Sequence, residues 1–319
     1  MSDAIRVRLD NEIRKTAAAA VVTGKIHQLA DGRAGVYTGL NAAALGDRTN
    51  WAEDGQYSCP KKPSVVCLDG GPAYWDRANG YVTPLRPVSG RGFFLGTFVG
   101  DAASADATCT VNVNVAPSYV ADLARDAFTT AAVGTQVVGA FGGPHRRGGT
   151  NKLLLGATNE AQKIDAFGND GFDVTANGIV EMGINVVSVG AGAAPDLSVG
   201  LANATHATDA DAITQHLFLH VDGNSTAIKF QSKDGTTTVA AADSLQVLVA
   251  GTRFEVWFDM RDETSVKIYV NGVRVLAGTV FNVAAANGTL RLLAHLEKTA
   301  AVDTFEADVD WLRARIAEQ

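Results

Sequence analysis

The sequence predicts an all-β protein in two domains, and three observations carry that expectation. Short apolar or alternating runs are punctuated by turn signals every ten or so residues. Asn271-Gly272 stands between two such runs and is the strongest short hairpin signal in the chain. The length, 319 residues, is about twice that of a typical domain. The 33 glycines and a charged fraction of only 19% fit a chain built from many strands and tight turns.

The chain opens on an alternation of Ile5, Val7 and Leu9 with Arg6, Arg8 and Asp10, the period of two of a half-buried strand. The same segment could equally be an arm that becomes a strand only against a partner. Further on, Val21-Val22 is followed by Thr23-Gly24, Gly35-Val36-Tyr37 by Thr38-Gly39, 64–68 by Asp69-Gly70-Gly71-Pro72, and Ala73-Tyr74-Trp75 by a turn over 76–80. Runs at 81–83, 93–99 and 108–115 complete a small antiparallel barrel or sandwich. The pattern then changes. Ser118 can cap a short helix whose apolar residues Tyr119, Val120, Leu123, Ala127 and Phe128 recur at helical spacing, with Asp122 near its positive end. An apolar piece at 133–141 and a glycine-rich stretch at 142–150, containing Arg146 and Arg147, read as a linker. From 151 onward the text is β again, with strands expected at 179–189, 197–202, 215–221, 227–231, 245–249, 254–260, 265–270, 289–296 and 304–314. The expected organisation is therefore a β module over 1–116, a helix and linker over 117–150, and a second β domain over 151–319.

Two resemblances follow from these residues. The run Gly71-Pro72-Ala73-Tyr74-Trp75-Asp76-Arg77-Ala78-Asn79-Gly80-Tyr81-Val82-Thr83, then Leu95-Gly96 and the alternation at 108–114, resembles the small β module of tailed-phage capsid decoration, or cement, proteins. Residues 18–24, Gly35-Val36 and Pro60-Lys61 fall where that family has its TG, GV and PK positions. The stretch 45–58, containing Trp51, is longer than the family's usual connection. In the second half, Phe254-Glu255-Val256-Trp257-Phe258, Lys267-Ile268-Tyr269-Val270-Asn271-Gly272 and Val309-Asp310-Trp311-Leu312-Arg313 resemble the laminin-G/concanavalin-like antiparallel jelly roll. The decoration family implies a structural protein on the outer capsid surface of a bacteriophage, with the major capsid protein as partner, self-association as a homotrimer, no enzymatic activity and no cofactor. The N-terminal residues Ile5, Arg6, Val7, Arg8, Leu9, Arg14 and Lys15 are the candidates for contact with the shell.

Other chemistries are poorly served. No apolar run approaches the roughly 18 residues of a membrane span, and the first 20 residues carry charges instead of a hydrophobic signal core. Synthesis in the host cytoplasm is expected. With 27 Lys+Arg against 34 Asp+Glu and no basic block, the chain lacks the electrostatic footprint of a nucleic-acid binder. Cys59, Cys67 and Cys109 match no zinc or redox spacing and read as buried thiols. The stretch 143–150 has P-loop glycine spacing but Gly149 in place of the lysine. His145, His206, His216, His220 and His295 form no H-E-x-x-H pattern, and Asp209 with Asp211 supply too few ligands for Ca²⁺. No metal site is expected.

The jelly-roll resemblance also implies an alternative, a carbohydrate-binding module or glycoside hydrolase. Its sugar-site candidates are Trp257, as a platform on a strand face shared with Glu255, Asp259 and Arg261, and the acids Glu306, Asp308 and Asp310 on the last strand. Glu255 and Asp259, four residues apart on a strand, are separated by about 13–14 Å, outside glycosidase range. The last-strand acids read as a solvated face or one paired with Arg261 or Arg291.

Overall fold

The structure, a computed structural model, describes residues 5–6, 12–17, 19–88, 90–123, 128–139, 151–286 and 289–317. Among these there is no α-helix, and the chain divides into two compact units at Ser118/Tyr119. No described helix is long and apolar enough to cross a membrane.

The first unit contains β1 (Ile5–Arg6), β2 (Glu12–Thr16), β3 (Ile26–Gln28), β4 (Ala34–Tyr37), β5 (Arg48–Ala52), β6 (Gln56–Pro60), β7 (Pro72–Asp76), β8 (Tyr81–Thr83), β9 (Gly92–Phe98) and β10 (Thr108–Val113). They form a six-stranded sheet in the order β1-β6-β10-β9-β7-β8 and a four-stranded sheet in the order β2-β5-β4-β3. Alternation decides the packing. Tyr57, Cys59, Ala73, Trp75, Leu95, Val111 and Val113 join Val36 and Ala52 of the smaller sheet in one core, while Tyr37 and Trp51 point to its other face and pack with Ala17, Val21, Leu29 and Ala43. The long stretch around Trp51 is thus a strand with its own small core. Its indole Nε1 donates to Thr49 Oγ1 at 2.8 Å, and His27 meets the ring edge-on. Gly96 is required at its position, since a Cβ there would lie 2.0 Å from the Asn112 carbonyl oxygen. Lys61 is buried, and its ammonium donates to the carbonyls of Val65 at 2.6 Å and Lys62 at 3.2 Å, which fixes the turn between β6 and β7. Cys59, Cys67 and Cys109 are buried thiols, as expected.

Asn114 ties this unit together. At φ 59°, a left-handed conformation that asparagine tolerates, its Nδ2 donates to the carbonyls of Ala34 and Glu53 and its Oδ1 accepts from the Ala34 amide at 2.9 Å. Replacing Asn114 by Ala removes three bonds and keeps an unfavourable φ. The expected cost is about 2 kcal/mol in urea unfolding, with Asn114→Gly costing less because glycine relieves the strain.

The second unit is an antiparallel sandwich. Its strands are β11 (Ala121–Asp122), β12 (Phe128–Val133), β13 (Val138–Gly139), β14 (Asn151–Leu155), β15 (Glu160–Asp173), β16 (Gly178–Ser188), β17 (Pro195–Ala202), β18 (His216–Asp222), β19 (Ala227–Lys233), β20 (Thr238–Val247), β21 (Phe254–Met260), β22 (Lys267–Val270), β23 (Val273–Val275), β24 (Thr289–Ala301) and β25 (Phe305–Ile316). One sheet runs β13-β14-β25-β16-β21-β22-β23, with β11 also on β25, and the other runs β12-β15-β24-β17-β18-β19-β20. Val180, Met182, Ile184, Val256 and Phe258 from the first face Leu197, Val199, Leu219, Phe230 and Leu292 from the second, and Phe230 meets Phe258 edge-on at 6.0 Å. This is the jelly-roll sandwich that the sequence resembles. Asn271-Gly272, at φ 50° and 77°, makes the expected tight turn between β22 and β23.

The segment expected as a helix and linker is different. Ala121 and Leu123 are buried and Val120 is exposed, a period of two, because the Val120 and Leu123 amides bond to the carbonyls of Ala314 and Leu312 on β25. Pairing with a long strand outweighs the weak helical spacing. β12 and β13 likewise extend the two sheets, so 121–123 and 128–139 belong to the second unit. The stretch 142–150, with its P-loop-like spacing and Arg146 and Arg147, lies outside the described residues.

Candidate functional site

The shell-contact candidates fall on two sheet edges of the first unit. Ile5–Arg6 pairs antiparallel with β6 through Ile5↔Ser58 and Arg6↔Tyr57, so this part of the N-terminus is already a strand within its own chain. Val7, Arg8 and Leu9 lie outside the described residues. Arg14 and Lys15 sit on β2, the edge of the four-stranded sheet, opposite Asn50 and Thr49. Arg14 is exposed and shares a face with exposed Arg48, two places along the ladder, whereas the Lys15 carbonyl accepts from Thr49 Oγ1 at 2.7 Å. The sequence reading missed the apolar tip near this edge. Val21 bridges Ala43, and the segments that meet there carry exposed Val22, Leu40 and Leu45, the last two 97% and 72% exposed. Large apolar side chains held in water are candidates for an interaction surface.

The sugar-site candidates do not form a platform. Trp257 is only 6% exposed and packs against Tyr269, and Glu255 and Asp259 are buried beside it. The outward face of this sheet is covered by its own long side chains. Arg261 pairs with Asp259 at 2.8 Å, while Glu181 binds Arg315 at 2.8 Å, Arg313 at 3.3 Å and the Tyr119 hydroxyl at 3.1 Å. Burial pushes the Glu181 carboxyl up, but the charges of Arg315 and Arg313 and these hydrogen bonds outweigh it and hold it below the usual range.

Glu306, Asp308 and Asp310 do lie on the outward side of β25, each with a partner. Glu306 pairs with Lys152 at 2.5 Å, Asp308 accepts from Asn185 Nδ2 at 3.3 Å, and Asp310 lies 3.6 Å from Arg253. The expected partners are therefore replaced: Arg261 is on Asp259, and Arg291 lies over the Phe167 ring. A register shift near Asp310 moves Trp311 outward, where Arg253 and Arg313 flank its ring at 5.2 and 5.4 Å. Burial, reinforced by Glu306 and Asp310, holds the Asp308 carboxyl above the usual range.

A third cluster was not expected from sequence. Across the other sheet Asp165, His295, Ser198, His220 and Lys229 stand opposite one another on five successive strands. The next row holds Lys163, Glu297, Asp196 and Asp222. This face points away from the sandwich core, yet His216, His220 and His295 are all buried. Ala210 and Ile213 of the 203–215 segment pack with Phe167, Phe218 and Leu293 and roof the face, so His216 and His220 are covered although they point away from the sandwich core. His216 stacks on Phe218 at 4.5 Å, and burial pushes it down to about 4.

These features define a two-module β protein with a first unit of two small sheets and a sandwich second unit rich in buried charge. Residues 8–115 match the family described as phage cement protein, which bears out the resemblance of the first module to capsid decoration proteins. The match covers about a third of the chain and ends three residues short of the unit boundary at Ser118. No curated protein sequence matches the chain. Among solved structures, similar ones include the carbohydrate recognition domain of Emp47p, with 15% identity, 62% of this chain and 94% of that one covered, and a TM-score of 0.42. The Emp46p carbohydrate recognition domain gives 9%, 63%, 97% and 0.40 in the same terms. A carbohydrate esterase from a Shiga toxin-encoding bacteriophage gives 10%, 59%, 90% and 0.37. Likeness at this level carries no argument about function.

Proposed function

We propose that the chain is a structural virion protein that binds the outer surface of a phage capsid through its first unit and stabilises the shell. The single observation that carries this reading is the near coincidence of the cement-family match at 8–115 with the first compact unit. The mechanism is mass action. A protein that binds only the assembled shell stabilises it by its binding free energy, multiplied over many copies. A homotrimer on local three-fold positions lets three weak contacts act together, and the N-terminal arm, the Arg14 and Arg48 edge and the apolar tip supply those contacts. The test adds purified protein to shells lacking it and measures occupancy by mass spectrometry and particle imaging. Density on local three-fold axes is expected, and solitary copies elsewhere would exclude the trimer. Leu40→Asp with Leu45→Asp should lower occupancy more than about tenfold without unfolding the exposed loop that carries them.

The role is non-enzymatic. Asp308→Asn with Asp310→Asn should leave particle stability and infectivity unchanged, because both acids are engaged in surface pairs. Loss of a polysaccharide-degrading activity in this double variant would favour the hydrolase alternative. Nothing in the buried position of Trp257 supports a sugar platform there.

A further inference from the structure

We propose that Asp196, Asp211 and His220 form a binding site for one divalent transition-metal ion of the Mn²⁺ or Zn²⁺ kind, on the outward face of the seven-stranded sheet beneath the 203–215 segment. One ligand atom from each, the imidazole Nδ1 and two carboxylate oxygens, all lie within 4.8 Å of one another. The three come from separate places. Asp196 and His220 are on adjacent strands β17 and β18, and Asp211 is in the short 3-10 turn Ala210–Ala212, which Asp209 caps by accepting from the Asp211 amide at 2.8 Å. The turn thus holds Asp211 over the sheet while Ala210 is anchored below it, its amide donating to Glu297 Oε1 at 3.3 Å.

The imidazole orientation points to a cation. His220, with a side chain only 5% exposed, has Nε2 tied to Asp222 Oδ1 at 2.6 Å, and Asp222 is itself bonded by Lys229. A carboxylate on one ring nitrogen fixes the ring and leaves the other nitrogen facing forward, the arrangement that metal-ligating histidines use. Here Nδ1 faces Asp196 Oδ1 at 3.4 Å and Asp211 Oδ1 at 3.7 Å, with Ser198 Oγ at the edge of bonding range at 3.5 Å. Asp196 Oδ1 is sealed from solvent and makes no hydrogen bond, although it is aimed into this gap. With Nε2 as the donor to Asp222, the Nδ1 lone pair and two carboxylate oxygens, of which Asp211 Oδ1 also accepts from Gln231 Nε2, converge on one small volume. In that tautomer the arrangement is repulsive until a positive charge, a proton or a metal ion, enters it, and the metal titration separates the two.

The donor set selects the ion. Ca²⁺ asks for six to eight oxygens, whereas one imidazole nitrogen with two carboxylates suits Mn²⁺ or Zn²⁺ with water in the open positions. Asp211, with a side chain 47% exposed, leaves a path from solvent.

The test uses the full-length chain stripped with a chelator and titrated with Mn²⁺ or Zn²⁺ alone, followed by calorimetry and, for Mn²⁺, by the paramagnetic signal of the free ion. One saturable equivalent per chain is expected, with affinity at least about tenfold weaker in Asp211→Asn and in Asp196→Asn. Thermal unfolding gives an independent readout. Without metal, Asp196→Asn should melt above the wild type, because it removes a crowded carboxylate; with saturating Mn²⁺ the wild type should rise and the variant should not. Circular dichroism checks that both variants fold, and half-exposed Asp211 makes the second variant safe in this respect. Failure of the wild type to bind a saturable equivalent of either ion would overturn the proposal. So would wild-type affinity in both variants, or identical melting shifts for wild type and Asp196→Asn.

Discussion

Arg315→Met is expected to destabilise the second unit by about 3–5 kcal/mol, the usual result of stripping one partner from a buried ion pair. Arg315 is 1% exposed, and its Nε donates to Glu181 Oε1 at 2.8 Å. Methionine preserves much of the volume, so the loss is not a cavity effect. What remains is a buried carboxylate whose other supports are Arg313 at 3.3 Å and the Tyr119 hydroxyl at 3.1 Å. For a unit of this size the loss corresponds to a fall in Tm of roughly 10 °C. The double variant Glu181→Leu/Arg315→Met should recover most of it, since an apolar pair of similar volume carries no desolvation cost. Urea unfolding of the two variants side by side measures this. Equal losses in the single and double variants would mean that Arg315 acts through packing and not through charge.

How far such features could be read from sequence depends on where their partners come from. The strands at 254–260 and 267–270 and the Asn271-Gly272 turn are local patterns, and they form as read. β15 was not anticipated. Its Gly168-Asn169-Asp170-Gly171 stretch is a register irregularity against β24, and Lys163 and Asp165 interrupt its apolar pattern. Asp165 is buried and Lys163 partly covered because a segment some forty residues away folds over them, as the bond from Lys163 Nζ to the His206 carbonyl at 2.8 Å shows. Trp257 failed as a platform for a related reason: alternation tells which side of a sheet a residue faces, not what covers that side. The helix expected from Ser118 lost to a strand almost two hundred residues downstream. The family motifs survived because they are local. Gly96 answers to a neighbouring carbonyl and Lys61 to its own turn.

The pair that defines the third face, Asp165 and His295, is separated by 130 positions, and it sets the second large effect. His295 is fully buried, with Nδ1 on Asp165 at 2.5 Å and Nε2 on Glu297 at 3.1 Å. Lys163 lies beyond Asp165 at 2.7 Å, and Ser198 separates the ring from His220. Burial alone would push His295 down, but the two carboxylates, by hydrogen bond and by charge, raise it to about 9. Because the folded value exceeds the unfolded value of 6.5, the protonated ring stabilises the fold fully below pH 6.5. That contribution is lost as pH rises through 9. A rise from 6.5 to about 9 corresponds to roughly 3 kcal/mol. Two neighbours titrate elsewhere: His216, held near 4, adds stability as pH rises toward 6.5, and Asp196, held near 7, removes it as pH rises toward 7. Above pH 7 the slope of His295 is therefore separated from both. In chelator-containing buffer the wild type should lose about 3 kcal/mol between pH 7 and 10 by urea unfolding, and His295→Gln should lose far less over the same range. The difference between the two curves is the readout, since buried thiols such as Cys67 titrate alike in both proteins. Parallel curves would mean that His295 is neutral in the folded chain, and that Asp165 and Glu297 are balanced by Lys163 and the roof instead.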